Sequence, residues 1–283
     1  EDWIWTNKVT YDKSEQEALF VLTPAIQLFG LAAMYDRTWG FDSNLLVKKE
    51  DNQFVVGYQF EQMHAYDSRF PYGVGGVYVG DLYTDENPLV TPGKEKVQSI
   101  YANAKMSFHD NWIANLGFRF DRKERLTLDD ISEFSPRLGM VYQASDDFHV
   151  KLSYSESYVD PPYWNRYGAL PAFRGSVDLK PEKLSSVQLA PNWRFFDGEA
   201  NLQVNLFYND HTDFVFRNNQ ASADEPINTN SGNFTAWGME PEFSYYGEDW
   251  QLRVVGMWQS VLDHSKFIAR DREIFSVPSK TLS

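Results

Sequence analysis

Between Tyr158 and Arg174 the chain gathers Tyr158, Tyr163, Trp164, Arg166, Tyr167, Phe173 and Arg174. The rings offer flat stacking surfaces, and the two guanidinium groups offer forked donors to anionic oxygen. That combination suits reversible capture of a bulky, partly anionic ligand rather than the making or breaking of bonds. A bland reading competes on the same residues, in which the rings pack the segment on itself or lie at an interface.

No other group of residues suggests catalysis. G-x-S-x-G, H-E-x-x-H and Walker patterns are all missing. The five histidines, His64, His109, His149, His211 and His264, are scattered without ligand spacing, so neither a metal site nor a cofactor is expected. Paired acids such as Asp129-Asp130 and Asp146-Asp147 read as solvated turn residues, with bridging of lipopolysaccharide through divalent ions as their functional alternative. A glycine-rich stretch over 67–95 lacks the spacing and the lysine of a phosphate loop and reads as a mobile outer loop carrying Phe70, Tyr72, Tyr78 and Tyr83.

The elements that must hold these residues are strands. In Asp147-Phe-His-Val-Lys-Leu-Ser-Tyr-Ser-Glu-Ser the apolar residues Phe148, Val150, Leu152 and Tyr154 alternate with His149, Lys151, Ser153 and Ser155. The same alternation recurs through segments such as Phe54 to Phe60, Trp112 to Phe120, Leu202 to Tyr208 and Trp250 to Trp258. Each segment is about ten residues long, the length of a tilted strand crossing a bilayer. Between the apolar positions stand Gln59, Asn103, Arg119, Gln188, Arg194, Asn205, Glu240, Glu242 and Arg253, which suit a hydrated interior. Aromatics gather at segment ends, where interfacial girdles belong.

Connections decide between a soluble sandwich and a membrane barrel. Short polar turns at 50–52, 109–111, 144–147, 197–199 and 247–249 alternate with long connections at 67–95, 122–133, 156–183, 212–233 and 262–273. A sandwich has no reason to keep its long loops at one end, whereas an outer-membrane barrel does. The polar face is therefore expected to be the inside. An 18-residue uncharged run from Ala18 to Tyr35 is interrupted by Pro24 and Gly30 and fits two strands around a Thr23-Pro24 turn better than a helix. Pro191 and Pro241 fall inside strands and call for a bulge or a local edge. The parity gives about thirteen strands and the start of another near Ile274. Because an open edge cannot stand in hydrocarbon, the chain is expected to be a piece of a larger barrel.

Composition agrees. Of 283 residues 16% are aromatic, none is cysteine, and the net charge of −14 argues against nucleic acid and against electrostatic binding to an anionic surface. Mean hydropathy of −0.49 is compatible with a barrel because one face in two meets lipid. Glu1 opens directly in strand-like sequence with no export signal.

From about residue 96 onward the chain resembles the C-terminal barrel half of TonB-dependent outer-membrane receptors. The resemblance is carried by Ser135-Pro-Arg-Leu-Gly-Met-Val-Tyr-Gln, by the strand ending Leu152-Ser-Tyr-Ser-Glu-Ser-Tyr, by Gly175-Ser-Val-Asp-Leu-Lys-Pro-Glu-Lys and by Asn205-Leu-Phe-Tyr-Asn-Asp. Asn230 to Glu242, with Gly238 and Glu240 on the family's G-x-E, and Val277-Pro-Ser-Lys complete it. Tyr158-Val-Asp-Pro-Pro-Tyr-Trp departs from the family pattern, lacking its usual basic residue.

The resemblance implies an all-β transmembrane antiparallel barrel, partial here with about 13–14 of about 22 strands, and without plug, signal peptide or C-terminal strand over 1–283. It implies import of a scarce bulky ligand, most often a ferric siderophore and otherwise cobalamin, haem, another metal chelate or a glycan, with energy arriving from TonB through the missing plug. Partners would be that ligand, TonB, outer-membrane lipid and lipopolysaccharide, and the protein would not be an enzyme. Haem is disfavoured because no histidine lies between Tyr158 and Lys180. Charges on the inner face are expected to pair with a plug or to line the route. The competing functions are a passive porin-type channel, a soluble glycan-binding sandwich and an outer-membrane hydrolase.

Overall fold

The computed structural model describes residues 1–127, 130–170, 174–217, 221–222, 225–263, 272–273 and 280–282. Alternating side chains cannot bury themselves alone, so the strands assemble edge to edge into one antiparallel sheet. The strands are β1 (Asp2–Thr23), β2 (Leu28–Lys49), β3 (Asn52–Arg69), β4 (Pro71–Val74), β5 (Val77–Asp81), β6 (Gly93–His109) and β7 (Trp112–Glu124). They continue as β8 (Ile131–Ser145), β9 (Phe148–Val159), β10 (Glu182–Phe195), β11 (Ala200–Arg217), β12 (Asn228–Tyr246) and β13 (Gln251–Asp263). Two short segments, β14 (Arg272–Glu273) and β15 (Lys280–Leu282), pair with β13 as the beginnings of the next strand. The described sheet does not close, and β1 forms one edge by pairing only with β2.

Every long strand but β6 pairs with its predecessor in sequence, and β6 pairs with β3 across the β4–β5 hairpin. Tight turns at 50–51, 110–111, 146–147, 196–199 and 247–250 lie at one end, and the longer connections lie at the other, as the parity requires. The 18–35 run folds as two strands about a 3-10 turn at Pro24–Ile26. The long strands exceed ten residues, and β1 and β2 each run for 22. On the outward parity of β1, apolar Trp5, Val9 and Tyr11 give way to Lys13, Glu15 and Glu17 toward the long-loop end, so the strand continues past the lipid-facing band. A bilayer sets the minimum length of a crossing strand and places no limit on how far it extends into water.

The two faces differ as expected. Leu152 is 51% exposed on the apolar face, whereas Lys151, Ser153, Ser155 and Ser157 line a cavity on the other. Near the short-turn end aromatic rings meet on the apolar face: Trp112 stacks on Tyr142 at 4.4 Å and Phe148 on Trp193 at 4.7 Å, and Tyr245 meets Trp250 at a tilt at 4.5 Å. Trp237 and Trp258 meet edge to face at 4.9 Å further toward the long loops. These pairs form the girdles.

Neither internal proline makes a bulge. Pro191 keeps its pairing with Val150 while the β10–β11 ladder lapses at Ala190 and Pro191, resuming in the same register at Asn192↔Gln203. Pro241 pairs with Val204, and the β12–β13 ladder skips Glu240 and Pro241 before resuming at Glu242↔Val255. A lost N–H opens a gap on one side, and the ladder on the other side holds the strand straight.

Gly238 of β12 stands opposite Gln259 of β13. A methyl there would collide with the Trp258 carbonyl and come within 2.9 Å of the Gln259 Cα, both backbone atoms that cannot yield. Gly238→Ala should therefore cost about 1–3 kcal/mol through forced strand displacement. Thermal unfolding of the detergent-solubilised protein checks this, and an unchanged midpoint would show that the β12–β13 approach is looser than described.

Candidate ligand-binding site

Two outer connections, 70–92 and 160–181, pack on each other over the polar face. The stretch over 67–95 is not an unstructured loop, because Val74-Gly75-Gly76-Val77 closes the β4–β5 hairpin with Val74 opposite Val77. The turn needs two left-handed residues, and Gly75 and Gly76 supply them at φ +59° and +81°. After the hairpin, Leu89 and Val90 run against a short helix, α1 (Tyr163–Tyr167). Val90 bridges Gly168, the Ala169 N–H donates to the Leu89 carbonyl at 2.8 Å, and the Thr91 N–H donates to the Tyr167 carbonyl at 3.1 Å. The Tyr163 hydroxyl donates to the Thr91 carbonyl at 2.8 Å. Ala32, Met34 and Ala65 from β2 and β3 join Phe70, Leu89, Val90, Tyr163, Tyr167 and Leu170 in a buried apolar cluster.

Beneath the cluster sits a buried ionic network. Arg166 grips Glu95 of β6 with both terminal nitrogens at 2.6 Å each, and its Nε donates to the Pro161 carbonyl at 3.0 Å. Both residues are almost wholly buried, at 2% and 3% exposure. The Tyr167 hydroxyl donates to Glu95 at 2.8 Å, and Lys123 of β7 lies 3.1 Å from the same carboxylate. Asp160 ties Lys123, Arg125 and Arg166 together from the end of β9. Burial works against the Arg166 charge, yet the hydrogen bonds of Glu95 and the charge of Asp160 hold its pKa above the ordinary value. Burial raises the Tyr163 and Tyr167 hydroxyls, and the Glu95 charge adds to this, so both stay protonated donors.

The seven residues singled out from the sequence are thereby divided. Tyr163, Arg166 and Tyr167 lie inside the loop body, with the Arg166 guanidinium 4.9 Å from the Tyr167 ring centre. Tyr158 and Trp164 are half-buried at its margin. Arg174 donates to the Ser222 and Glu225 carbonyls, tying this connection to 218–227. Phe173 lies outside the described residues, as do Asp129, His264, Ile274 and most of the 262–273 connection, together with Val277 to Ser279. Glu95, Lys123, Arg125 and Asp160 were not singled out beforehand. Their partners stand on other strands, so no spacing marks them.

Below the loop body the polar face holds a cavity of about 720 Å³ lined by Asp42, Gln59, Tyr101, Arg119, Asp121 and Tyr158 among others. Arg119 donates to Asp121 at 2.8 Å, to Gln59 at 2.9 Å and to Ser99 at 2.7 Å. Arg253 pairs with Glu242 at 2.7 Å, Asn205 donates to Glu240 at 3.1 Å, and Arg194 donates to the Asp146 carbonyl. These inner-face side chains also bond to one another and to the backbone along the wall. Among the described residues no group of three or more histidine and acidic side chains is placed to hold a metal ion.

An antiparallel sheet with a polar face, girdles and long loops at one end has the build of a membrane barrel's wall. The profile of the family described as TonB dependent receptor-like, beta-barrel matches residues 2–275. The chain belongs to this family. The match extends the likeness through the first 95 residues, beyond the motifs legible from 96 onward. The ferripyoverdine receptor of the outer membrane of Pseudomonas aeruginosa, bound to ferripyoverdine, is similar with a TM-score of 0.62 at 16% identity, over 98% of this chain and 40% of that one. The ferric yersiniabactin uptake receptor FyuA from Yersinia pestis gives 0.68 at 15% identity, over 100% and 44%. The copper transporter OprC gives 0.71 at 13% identity, over 98% and 45%. No curated protein matches the chain. The chain spans less than half the length of these solved relatives, and at such identities the likeness is one of fold. Family and fold are those of transport receptors rather than enzymes.

Proposed function

We propose that this chain is part of the barrel of a bacterial outer-membrane receptor that imports a scarce bulky ligand, a ferric siderophore first among them, with energy supplied through TonB. The observation that carries the reading is the loop body: two long outer connections locked together over a polar cavity, on a family-matched barrel wall. Receptors for ferripyoverdine and ferric yersiniabactin share the fold. In this reading Tyr158 and Trp164 meet the ligand from the margin of the body, Phe173 is a further candidate contact, and Tyr163, Arg166, Tyr167 and Arg174 shape and support the surface that presents them. The segment that fills the barrel and contacts TonB would lie in another part of the same protein.

The test is iron uptake by iron-limited cells that carry or lack the protein, supplied in turn with ferric hydroxamate, catecholate and mixed-ligand siderophores. Energy-dependent uptake of one class, lost on deletion and weakened about tenfold by Tyr158→Ala/Trp164→Ala, is the expected result, since two lost stacking contacts are together worth about 1–3 kcal/mol. Uptake that survives collapse of the proton gradient would instead identify a diffusion channel.

A further inference from the structure

On the apolar face, toward the long-loop end, four bases stand in one cross-strand row. Lys13 of β1 lies opposite Arg37 of β2, Arg37 opposite His64 of β3, and His64 opposite Lys94 of β6. Like charges set directly across a ladder weaken it, so such a row calls for anions. The chain supplies few of them. Lys13 pairs with Glu15 at 2.7 Å, and the neighbouring Lys96 and Arg122 pair with Glu124 at 3.0 Å and Asp130 at 2.8 Å. Further out Asp67 is taken by Arg69 at 2.8 Å, which leaves Glu17, about 13 Å along β1 from Lys13. Arg37 donates from Nε to His64 Nδ1 at 3.3 Å, and its guanidinium stands 5.8 Å from the Tyr66 ring centre. Among the described residues no carboxylate pairs with Arg37 or Lys94, and both are exposed.

The same strands carry an apolar trough lower on that face. Ala102 and Ala104 of β6 lie between Val56 and Phe54 of β3 and Phe118 and Leu116 of β7. Two methyl groups among four larger side chains leave a trough of about 570 Å³. Above it the apolar run ends at Ile100, and Gln98 is the first polar residue on that face of β6. From Gln98 to Ala104 is six residues, about 20 Å along a tilted strand and about 15 Å along the membrane normal, the depth of one leaflet. Cations at the rim and a trough within the leaflet below match a molecule with phosphates at its head and acyl chains beneath.

We propose that the outward face of β1, β2, β3, β6 and β7 docks a phosphorylated, multiply acylated lipid of the outer leaflet, with phosphate at Arg37 and Lys94 and an acyl chain in the trough. The net charge of −14 argues against any broad attraction to anionic surfaces, and this row is a local reversal of sign. A second copy of the chain suits the trough less well, because a symmetric partner in the same membrane would bring its own cations to the same height. The proposal rests on the apolar face being the lipid side. The ligand taken by the outer loops has no part in it.

Lipid A, a glucosamine disaccharide with two phosphates and several acyl chains, is the probe, titrated in detergent micelles into the intact detergent-solubilised protein at low ionic strength with a chelator present. Saturable binding is expected. Arg37→Gln/Lys94→Gln should weaken it about tenfold or more, as loss of two cations at an anionic headgroup demands. Ala102→Leu/Ala104→Leu, which fills the trough and changes no charge, should weaken it at least about threefold with the melting temperature kept. Lys105→Gln/Lys151→Gln removes as much charge from the polar face and should leave binding unchanged. Absence of binding by the parent, or equal binding by the parent and the first two variants, overturns the proposal. So does binding that appears only when magnesium replaces the chelator, which would assign the contact to acids bridged by divalent ions. Displacement by inorganic phosphate with the trough variant unaffected would mark a site for free phosphate instead. A parent that sediments as a dimer, and a trough variant that sediments as a monomer with or without lipid, would give the trough to a second copy. None of these outcomes involves uptake, so the import reading stands or falls separately.

Discussion

Replacing Glu95 with alanine should open the outer loop body while leaving the sheet intact. The substitution strands the Arg166 guanidinium, 2% exposed, in an apolar setting with only the Pro161 carbonyl, the Tyr167 hydroxyl and a more distant Asp160 for company. Removing one partner of a buried ion pair typically costs about 3–5 kcal/mol, because the other charge remains desolvated. The cost falls on a local unit, since the body is held to the strands chiefly by this network and the small cluster around Phe70 and Leu89. Hydrogen exchange at Thr91 and Ala169, whose amides bond across the two connections, and at Gly168, whose amide caps α1 on the Trp164 carbonyl, should quicken by two orders of magnitude or more, as about 3 kcal/mol of local destabilisation implies. Exchange in β7–β12 should not change. The pair Glu95→Leu/Arg166→Met, which removes both charges and keeps the volume, should recover most of the protection. If Glu95→Ala leaves those three amides as protected as before, the network is not what holds the loops.

The second large effect separates the faces of β9. Leu152→Arg puts a guanidinium on the apolar face, between Val150 and Tyr154 and opposite Met140 and Leu189. In a bilayer such a charge costs about 2–4 kcal/mol near the midplane. Ser153→Arg, one residue on, enters the watered side and should stay within about 0.5 kcal/mol of the parent. Urea unfolding from lipid vesicles measures both. Were the sheet instead part of a soluble sandwich, Ser153→Arg would be the tolerated surface change and Leu152→Arg a core-breaking one in plain buffer, with no requirement for lipid or detergent. Folding without either would therefore dispose of the barrel.

What could be read beforehand follows from how local each signal is. Alternation has a period of two, so the faces of β7 and β9 and the parity of the turns follow from neighbouring residues alone. The position of Pro191 was plain, but not its accommodation, which depends on β9 holding the strand from the other side. Val74-Gly75-Gly76-Val77 did carry a readable signal, since two glycines between β-branched residues mark a two-residue hairpin, and the mobile-loop reading of 67–95 passed over it. Arg166 was noticed as a cation that could meet a ligand. Its partner Glu95 is 71 residues away on strand β6, and a pairing at that distance leaves no trace in spacing. The same holds for Lys123 and Asp160, so the support of the site was hidden although its aromatic content was visible.

The meander of strands and the loop body also differ in the span of chain their contacts must close. Most strand pairs join segments that follow one another directly, so each pairing closes a short stretch and sets little entropy against itself. The bonds between Glu95 and Arg166 or between Tyr83 and Ala169 bridge 71 and 86 residues, and they have nowhere to form until the intervening strands stand side by side. Assembly should thus end with the outer mouth, and disassembly should begin there. A receptor built this way matures from the wall outward, and its entrance can open and reset many times during the lifetime of the wall beneath it.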